Sequence, residues 1–336
     1  MPQHPLARER RIRMLADMAL VRAFEDRVCA LAHEPGRLPG MQITCYGQEA
    51  VAVGVVGALR PEDVVVTNHR SHGHLLARGV DPGALLAEIM GRRDGLNHGK
   101  SGTLHMAAPD HNVLMTSTVV GAGPLLAMGA AFAQHYRGEP AVTCVFFGDG
   151  AAAEGSVHEA MNLAAVWKLP LLFVCESNGW AGAQCHGEHC PVGSLTARAA
   201  GYGMPGESVD GNDVEAVHAA ALDLLAPCRA GGGPALLECR TYRMHGHGEH
   251  DPHQYMDPAV LAEWAGRDPL VLQAEALRRD GAGDLLADLR ARAEAAVDRA
   301  LAFAEASPLP PPEAALDHLY ANPIGSGAVV TPGKEG

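Results

Sequence analysis

Four short apolar runs each stop at a polar cluster: DVVVT (63–67), AVTCVFF (141–147), PLLFVCE (170–176) and PALLECRTYR (234–243). Their length and their β-branched or aromatic content predict buried strands. Between them, Ala/Leu-rich stretches at 81–91, 119–137, 154–168 and 213–226 predict helices. Strands that alternate with helices predict an α/β fold, a mostly parallel sheet covered by helices on both faces. In such sheets, ligands bind beyond the carboxyl ends of the strands.

The polar cluster after each run is therefore the candidate site. Asn68-His69-Arg70-Ser71-His72-Gly73 comes after the first run, and Gly148-Asp149-Gly150 after the second. Ser177-Asn178-Gly179 comes after the third, and the fourth runs into Met244-His245-Gly246-His247-Gly248. One crossover separates Asp149 from Asn178, so the two should be neighbours. Their carboxylate and amide oxygens are hard ligands that suit magnesium or calcium. Gly150 and the alanines after it should open a helix, whose first N–H groups attract phosphate. Arg70 and His247 could neutralise further negative charge. The edge has the chemistry of a magnesium diphosphate site.

Bulk properties exclude other classes. A net charge of −13 argues against nucleic acid and anionic membrane as partners. No apolar run approaches membrane-spanning length. The N-terminus is basic at first, but Asp17, Arg22 and Glu25 interrupt any signal-like apolar core, and it reads as an amphipathic helix. The eight cysteines sit mostly in apolar runs, which suggests reduced thiols and a cytoplasmic setting. Four regions are expected: an N-terminal helical segment (1–35), the ligand-binding domain (36–275), a C-terminal helix (276–306), and a Pro-rich linker and tail (307–336).

Plainer readings stand beside these. Gly-Asp-Gly and Asn-Gly are more often turns than ligand sites, and Asp149 gains weight only through its pairing with Asn178. Glycines 121, 123 and 129 miss the GxGxxG spacing, and no clear strand precedes them, so helix packing is their expected use. HGHGEHDPH (245–253) and CHGEHC (185–190) lack the paired spacing of a structural zinc site, and the first contains no thiol. Both read as solvated histidines.

The segment GDGAAAEGSVHEAMNLAAVWKLPLLFVCESNGWA resembles the thiamine-diphosphate motif of the alpha subunits of 2-oxo acid dehydrogenase first components. Those subunits serve pyruvate, branched-chain 2-oxo acid and acetoin dehydrogenase complexes. The resemblance extends through YGQEAVAVGV, NHRSHG, GKSGTLHM, TYRMHGHGEHDP and EWAGRDPL, from about residue 15 to 275. It implies the thiamine-diphosphate-binding fold, with thiamine diphosphate and Mg2+ as cofactors. Asp149, Asn178 and the Trp180 carbonyl would hold the metal. His69, Arg70 and His247 would meet the diphosphate, with Gly148, Gly150 and Ala151 lining it. The backbone of Thr118 and Val120 would hold the aminopyrimidine, and Arg243 would support the loop. His72 and His247 would lie near the reacting carbon, and Met41, Gln42 and Thr44 would form a substrate wall.

The implied reaction is oxidative decarboxylation of a 2-oxo acid, or cleavage of acetoin, with acyl transfer to a lipoyl group on an acyltransferase partner. A beta subunit would supply the activating glutamate in an alpha-two-beta-two assembly. Two alternatives remain within the resemblance: an acyloin-forming carboligase without a lipoyl partner, and a silent paralogue that still binds the cofactor. A nicotinamide dehydrogenase would need a proper GxGxxG. The chain departs from the family pattern at Ser177, at Thr118, at Gly248 (where mitochondrial relatives carry a phosphorylated serine) and at Met41-Gln42-Ile43-Thr44.

Overall fold

The computed structural model describes residues 6–319. Six strands form one parallel sheet in the order β2-β1-β3-β4-β8-β7. They are β1 (Val64–Asn68), β2 (Val113–Ser117), β3 (Thr143–Gly148), β4 (Leu171–Ser177), β7 (Gly206–Asp210) and β8 (Ala235–Arg240). The short strands β5 (Trp180–Ala181) and β6 (Gln184–Cys185) pair as an antiparallel hairpin beyond β4.

All four expected strands are present, and the two unexpected ones lie at the sheet edges. β7, GESVD, is largely exposed, and β2, VLMTS, is only half covered, so neither carries the continuous apolar run of a central strand. β2 corrects the reading of 119–133. A strand does precede those glycines, and the chain turns at Gly121 (φ +80°) into a helix. A Cβ there would lie 2.6 Å from Glu154 Cβ, so Gly121 is required both by conformation and by space.

Alternating strand residues feed two cores. Val65, Cys144, Phe146, Leu172 and Val174 face a core shared with α1 (Arg8–Ala32), α2 (Glu49–Val56) and α9 (Val214–Arg229). Val66, Val145, Phe147, Leu171 and Phe173 face the other, covered by α5 (Ala122–Arg137), α6 (Gly155–Val166) and α8 (Thr196–Gly201). Shorter helices complete the chain: α3 (His72–Ala77), α4 (Pro82–Ile89), α7 (His186–His189), α10 (Pro258–Ala265) and α11 (Pro269–Arg279).

The last helix, α12 (Leu286–Ala306), packs on α1 and α4 and adds Ala293, Val297 and Ala304 to the first core. The expected linker begins docked: Arg93 N donates to the Pro308 carbonyl at 2.9 Å, and Asp94 N to Ser307 Oγ at 3.1 Å. The tail after Pro323 lies outside the described residues.

Candidate active site

A cleft of about 320 Å³ opens where β1, β2, β3 and β4 end. Its lining includes His69, Arg70, Thr118, Val120, Gly148, Gly150, Ala151, Asn178, Trp180, Arg243 and His247. Sheet register accounts for this convergence. Gly148 pairs with Glu176 and Asn68 with Ser117, so the segments beyond them leave the sheet at the same level.

Asp149 is 1% exposed and absent from the cleft lining, although its neighbours Gly148 and Gly150 are part of it. Its Oδ2 lies 3.0 Å from His186 Nδ1, while Oδ1 is buried with no hydrogen-bond partner among the described residues. Burial raises the Asp149 carboxyl above its ordinary range, against the pull of His186. Asn178 is held by Gln48, whose Oε1 accepts from Asn178 Nδ2 at 3.2 Å, while Asn178 Oδ1 accepts from Trp180 N. Gly150 lets the β5–β6 hairpin close over Asp149. A Cβ at Gly150 would fall 2.6 Å from Ala181 Cβ.

The opposite wall is cationic. Arg70 is buried and donates to the Thr44 carbonyl at 2.7 Å and to the His247 carbonyl at 2.9 Å. Arg243 donates to the carbonyls of His245 and Gly182. Burial, then the charge of Arg243, lowers Arg70 to about 10. Burial, then Arg70, lowers His69 to about 3 and His247 to about 4. Arg70 and Arg243 supply the positive charge of this wall, the lowered His69 and His247 rings are neutral at pH 7, and Glu154 and Glu176 also line the cleft.

Several expectations need correction. His72 is fully buried and absent from the lining. Its Nδ1 lies 2.9 Å from Glu25 Oε2 and its Nε2 2.6 Å from Thr103 Oγ1, so both ring nitrogens are engaged behind the cleft. Met41, Gln42 and Thr44 are also absent from the lining. Met41 is exposed, Gln42 Nε2 donates to the Pro39 carbonyl, and Thr44 supports Arg70 through its backbone. Gly150 and Ala151 open a single 3-10 turn (Ala151–Ala153), and α6 begins only at Gly155. The first turn of either helix type still carries N–H groups without an intrahelical acceptor.

The family model described as the dehydrogenase E1 component matches residues 16–313. This chain belongs to that family. It is 39% identical over 94% of its length to the alpha subunit of acetoin:2,6-dichlorophenolindophenol oxidoreductase from Bacillus subtilis, of which 95% is covered. It is 38% identical to the pyruvate dehydrogenase E1 alpha subunit of Zymomonas mobilis, over 94% of this chain and 88% of that one. A Cupriavidus necator acetoin:2,6-dichlorophenolindophenol oxidoreductase alpha subunit is also 38% identical, over 94% and 96%.

The family implies thiamine diphosphate, and the residues present fit such a group. The buried, unpartnered carboxylate oxygen of Asp149 lies beside the cleft, between its lining residues Gly148 and Gly150, and Arg70 and Arg243 line the cleft itself. Three residues escaped sequence reasoning. Gln48, which orients Asn178, lies within YGQEAVAVGV, but nothing in that segment announces the contact. His186 and His189 flank Asp149 at 3.0 and 3.9 Å, because α7 folds back over the end of β3.

Proposed function

We propose that this chain is the alpha subunit of a thiamine-diphosphate-dependent enzyme that decarboxylates a 2-oxo acid oxidatively, or cleaves acetoin, and passes the acyl unit to a lipoyl group. The observation that carries the reading is Asp149. Its buried, unpartnered oxygen sits one strand from Asn178 and beside the cleft that Arg70, His69 and His247 line.

In this reading Asp149, Asn178 and the Trp180 carbonyl hold Mg2+, a hard cation that binds oxygen ligands and completes its octahedron with water and phosphate. Arg70 offsets charge on the diphosphate, the neutral rings of His69 and His247 hydrogen-bond it, and the Gly148–Ala151 turn lies against it. Thr118 and Val120 bound the ring through their backbone. When bound, the cofactor supplies a nucleophilic carbon and an electron sink for cleaving the bond beside a carbonyl. The chain itself orients that group, screens its charge and keeps His247 beside it. With a lowered pKa, His247 is neutral at pH 7 and can accept a proton there. His72 acts as a positioning residue for the N-terminus of α3.

The beta subunit completes the pocket in an alpha-two-beta-two assembly, and a lipoyl-bearing acyltransferase is the acceptor. Support comes from surface chemistry: Val119 and Val120 stand exposed at the cleft mouth, and Phe132, Tyr136 and Trp167 form an exposed aromatic group on α5 and beyond α6. All eight cysteines are free, which suits a cytoplasmic setting, and no helix among the described residues is long and apolar enough to cross a membrane.

Calorimetry with thiamine diphosphate and Mg2+, with NAD as control, tests the binding. Turnover of pyruvate, branched-chain 2-oxo acids and acetoin, with and without lipoamide, tests the reaction. NAD binding without thiamine diphosphate binding would overturn the reading. Acyloin product without any lipoamide dependence would replace it with the carboligase.

A further inference from the structure

Outside the cleft, the end of α1 meets the 244–253 loop in a cluster of metal-ligating side chains. Cys29 Sγ lies 3.9 Å from His245 Nδ1, which lies 3.4 Å from Glu249 Oε1. These three ligand atoms all fall within 4.8 Å of one another. The other Glu249 oxygen lies 3.8 Å from Nε2 of His33, just past Cys29 at the C-terminal end of α1. A tetrahedral zinc, about 2.3 Å from sulfur and 2.1 Å from nitrogen or oxygen, spaces its ligands by about 3.4–3.6 Å. The Cys29–His245 and His245–Glu249 gaps match that spacing to within a few tenths of an ångström.

The ligands are also oriented. The His245 ring stacks on Tyr46, with centroids 4.3 Å apart and planes at 17°. Thr44 Oγ1 donates to Glu249 Oε1 at 3.2 Å, and the Glu249 backbone N–H donates to the Gln42 carbonyl at 2.9 Å. Outer hydrogen bonds of this kind fix ligand geometry in metal sites. An open pocket lined by His33, His245 and Glu249 gives access from solvent.

We infer that Cys29, His245 and Glu249 form a zinc site, its fourth position open to the solvent pocket bordered by His33, that clamps the 244–249 segment to α1. A thiol and an imidazole favour a borderline metal such as zinc over magnesium. Spacing within 245–253 hides the site because the thiol comes from a helix more than two hundred residues earlier. Between the two loop ligands stands His247, which lines the cleft and whose carbonyl accepts from Arg70. The zinc therefore sets the loop that carries a cleft residue without entering the cleft. None of its ligands depends on the cofactor assigned above.

The experiment uses the full-length chain co-purified with its partner, stripped with chelator and freed of any affinity tag. Zn2+ is titrated against a chromophoric competitor, and Co2+ serves as the spectroscopic probe. The expected result is one tight equivalent of zinc and a Co2+ complex with a thiolate charge-transfer band. Cys29→Ser should weaken zinc by at least about 100-fold, since even the loss of an outer partner costs 10- to 100-fold. His245→Ala should do the same. His186→Ala with His189→Ala should leave this equivalent unchanged, because that pair serves the Asp149 cluster. A Co2+ complex without the thiolate band, unchanged zinc affinity in Cys29→Ser, or zinc lost only in the His186/His189 variant would each overturn the inference. The Co2+ spectrum of the unmutated chain decides the matter even if a variant fails to fold.

Discussion

Asp149 turns one carboxylate oxygen to His186 Nδ1, 3.0 Å away, and keeps the other buried without a hydrogen-bond partner among the described residues. Burial raises its pKa, so in the ligand-free protein the ionised carboxylate opposes folding as pH rises. Asp149→Asn should therefore leave the ligand-free chain at least as stable as the parent at pH 7. The same variant should lose the stabilisation by Mg2+ and thiamine diphosphate, about 2.7 kcal/mol when ligand stands at 100 times Kd. Thermal melts with and without both ligands check this. An undiminished ligand-induced shift would remove Asp149 from the metal site.

The cationic wall makes a pH prediction. His69 is held down to about 3 by burial first and then by Arg70, against about 6.5 in an unfolded chain. A base with a depressed folded pKa gives stability that is present above the unfolded value and lost as pH falls. The ligand-free chain should lose stability on acidification from about pH 6.5 downward. His69→Asn should flatten that slope. A diphosphate beside His69 opposes the shift, so the imidazole pKa read by NMR should rise when the cofactor binds. An unmoved His69 titration on cofactor binding would place the diphosphate elsewhere.

His72 and Glu25 form a fully buried pair, 2.9 Å apart. Burial pushes the Glu25 carboxyl up, yet the charge and hydrogen bond of His72 outweigh it and hold Glu25 below its ordinary range. Its stabilising contribution is present above about pH 4.3 and lost as pH falls below it. Breaking a buried pair on one side costs about 3–5 kcal/mol. Glu25→Gln should lower unfolding free energy by an amount near that range and reduce the acid sensitivity of the remainder. Denaturant titration at pH 7 and pH 4 provides the test. Unchanged stability with lost turnover would return His72 to a catalytic role.

The central sheet was legible because β1, β3, β4 and β8 are buried on both faces, which forces continuous apolar runs. β2 and β7 were not legible, since an edge strand half open to solvent needs no such run. Of the cleft lining, the polar clusters after the strands hold Arg70, Asn178 and His247, while Asp149 is buried beside the cleft and outside its lining. Side-chain direction was hidden. NHRSHG places His69 and His72 three residues apart, yet α3 starts at His72 and turns its ring inward to Glu25. Contacts between distant segments, such as Gln48 with Asn178 or Cys29 with His245, leave no trace in local pattern.

The last prediction is that the isolated chain turns nothing over. Thiamine activation needs a glutamate at the aminopyrimidine, which the family resemblance assigns to a beta subunit. Two buried acids of this chain could serve from a second copy only by leaving their partners. Glu49 is fully buried against Arg22 at 2.5 Å, and Glu176 accepts from Asn68 Nδ2 at 2.7 Å with His74 Nε2 3.3 Å away. Extracting either would strip a buried partner of its counterpart, a loss of several kcal/mol. Beyond Leu270 the described residues form helices and an extended stretch, with no second sheet among them to hold another half-pocket. Exposed Val119 and Val120 at the cleft mouth leave that side apolar and open. Purified alone, the chain should bind Mg2+ and thiamine diphosphate weakly and decarboxylate no 2-oxo acid. Adding the beta partner should restore turnover and cover the exposed aromatic group, read as protection of Trp167 from fluorescence quenching. Robust turnover by the isolated polypeptide would point instead to a homodimer. The exposed cleft carboxylate Glu154 would then be the residue to test, with loss of activity in Glu154→Gln as its signature.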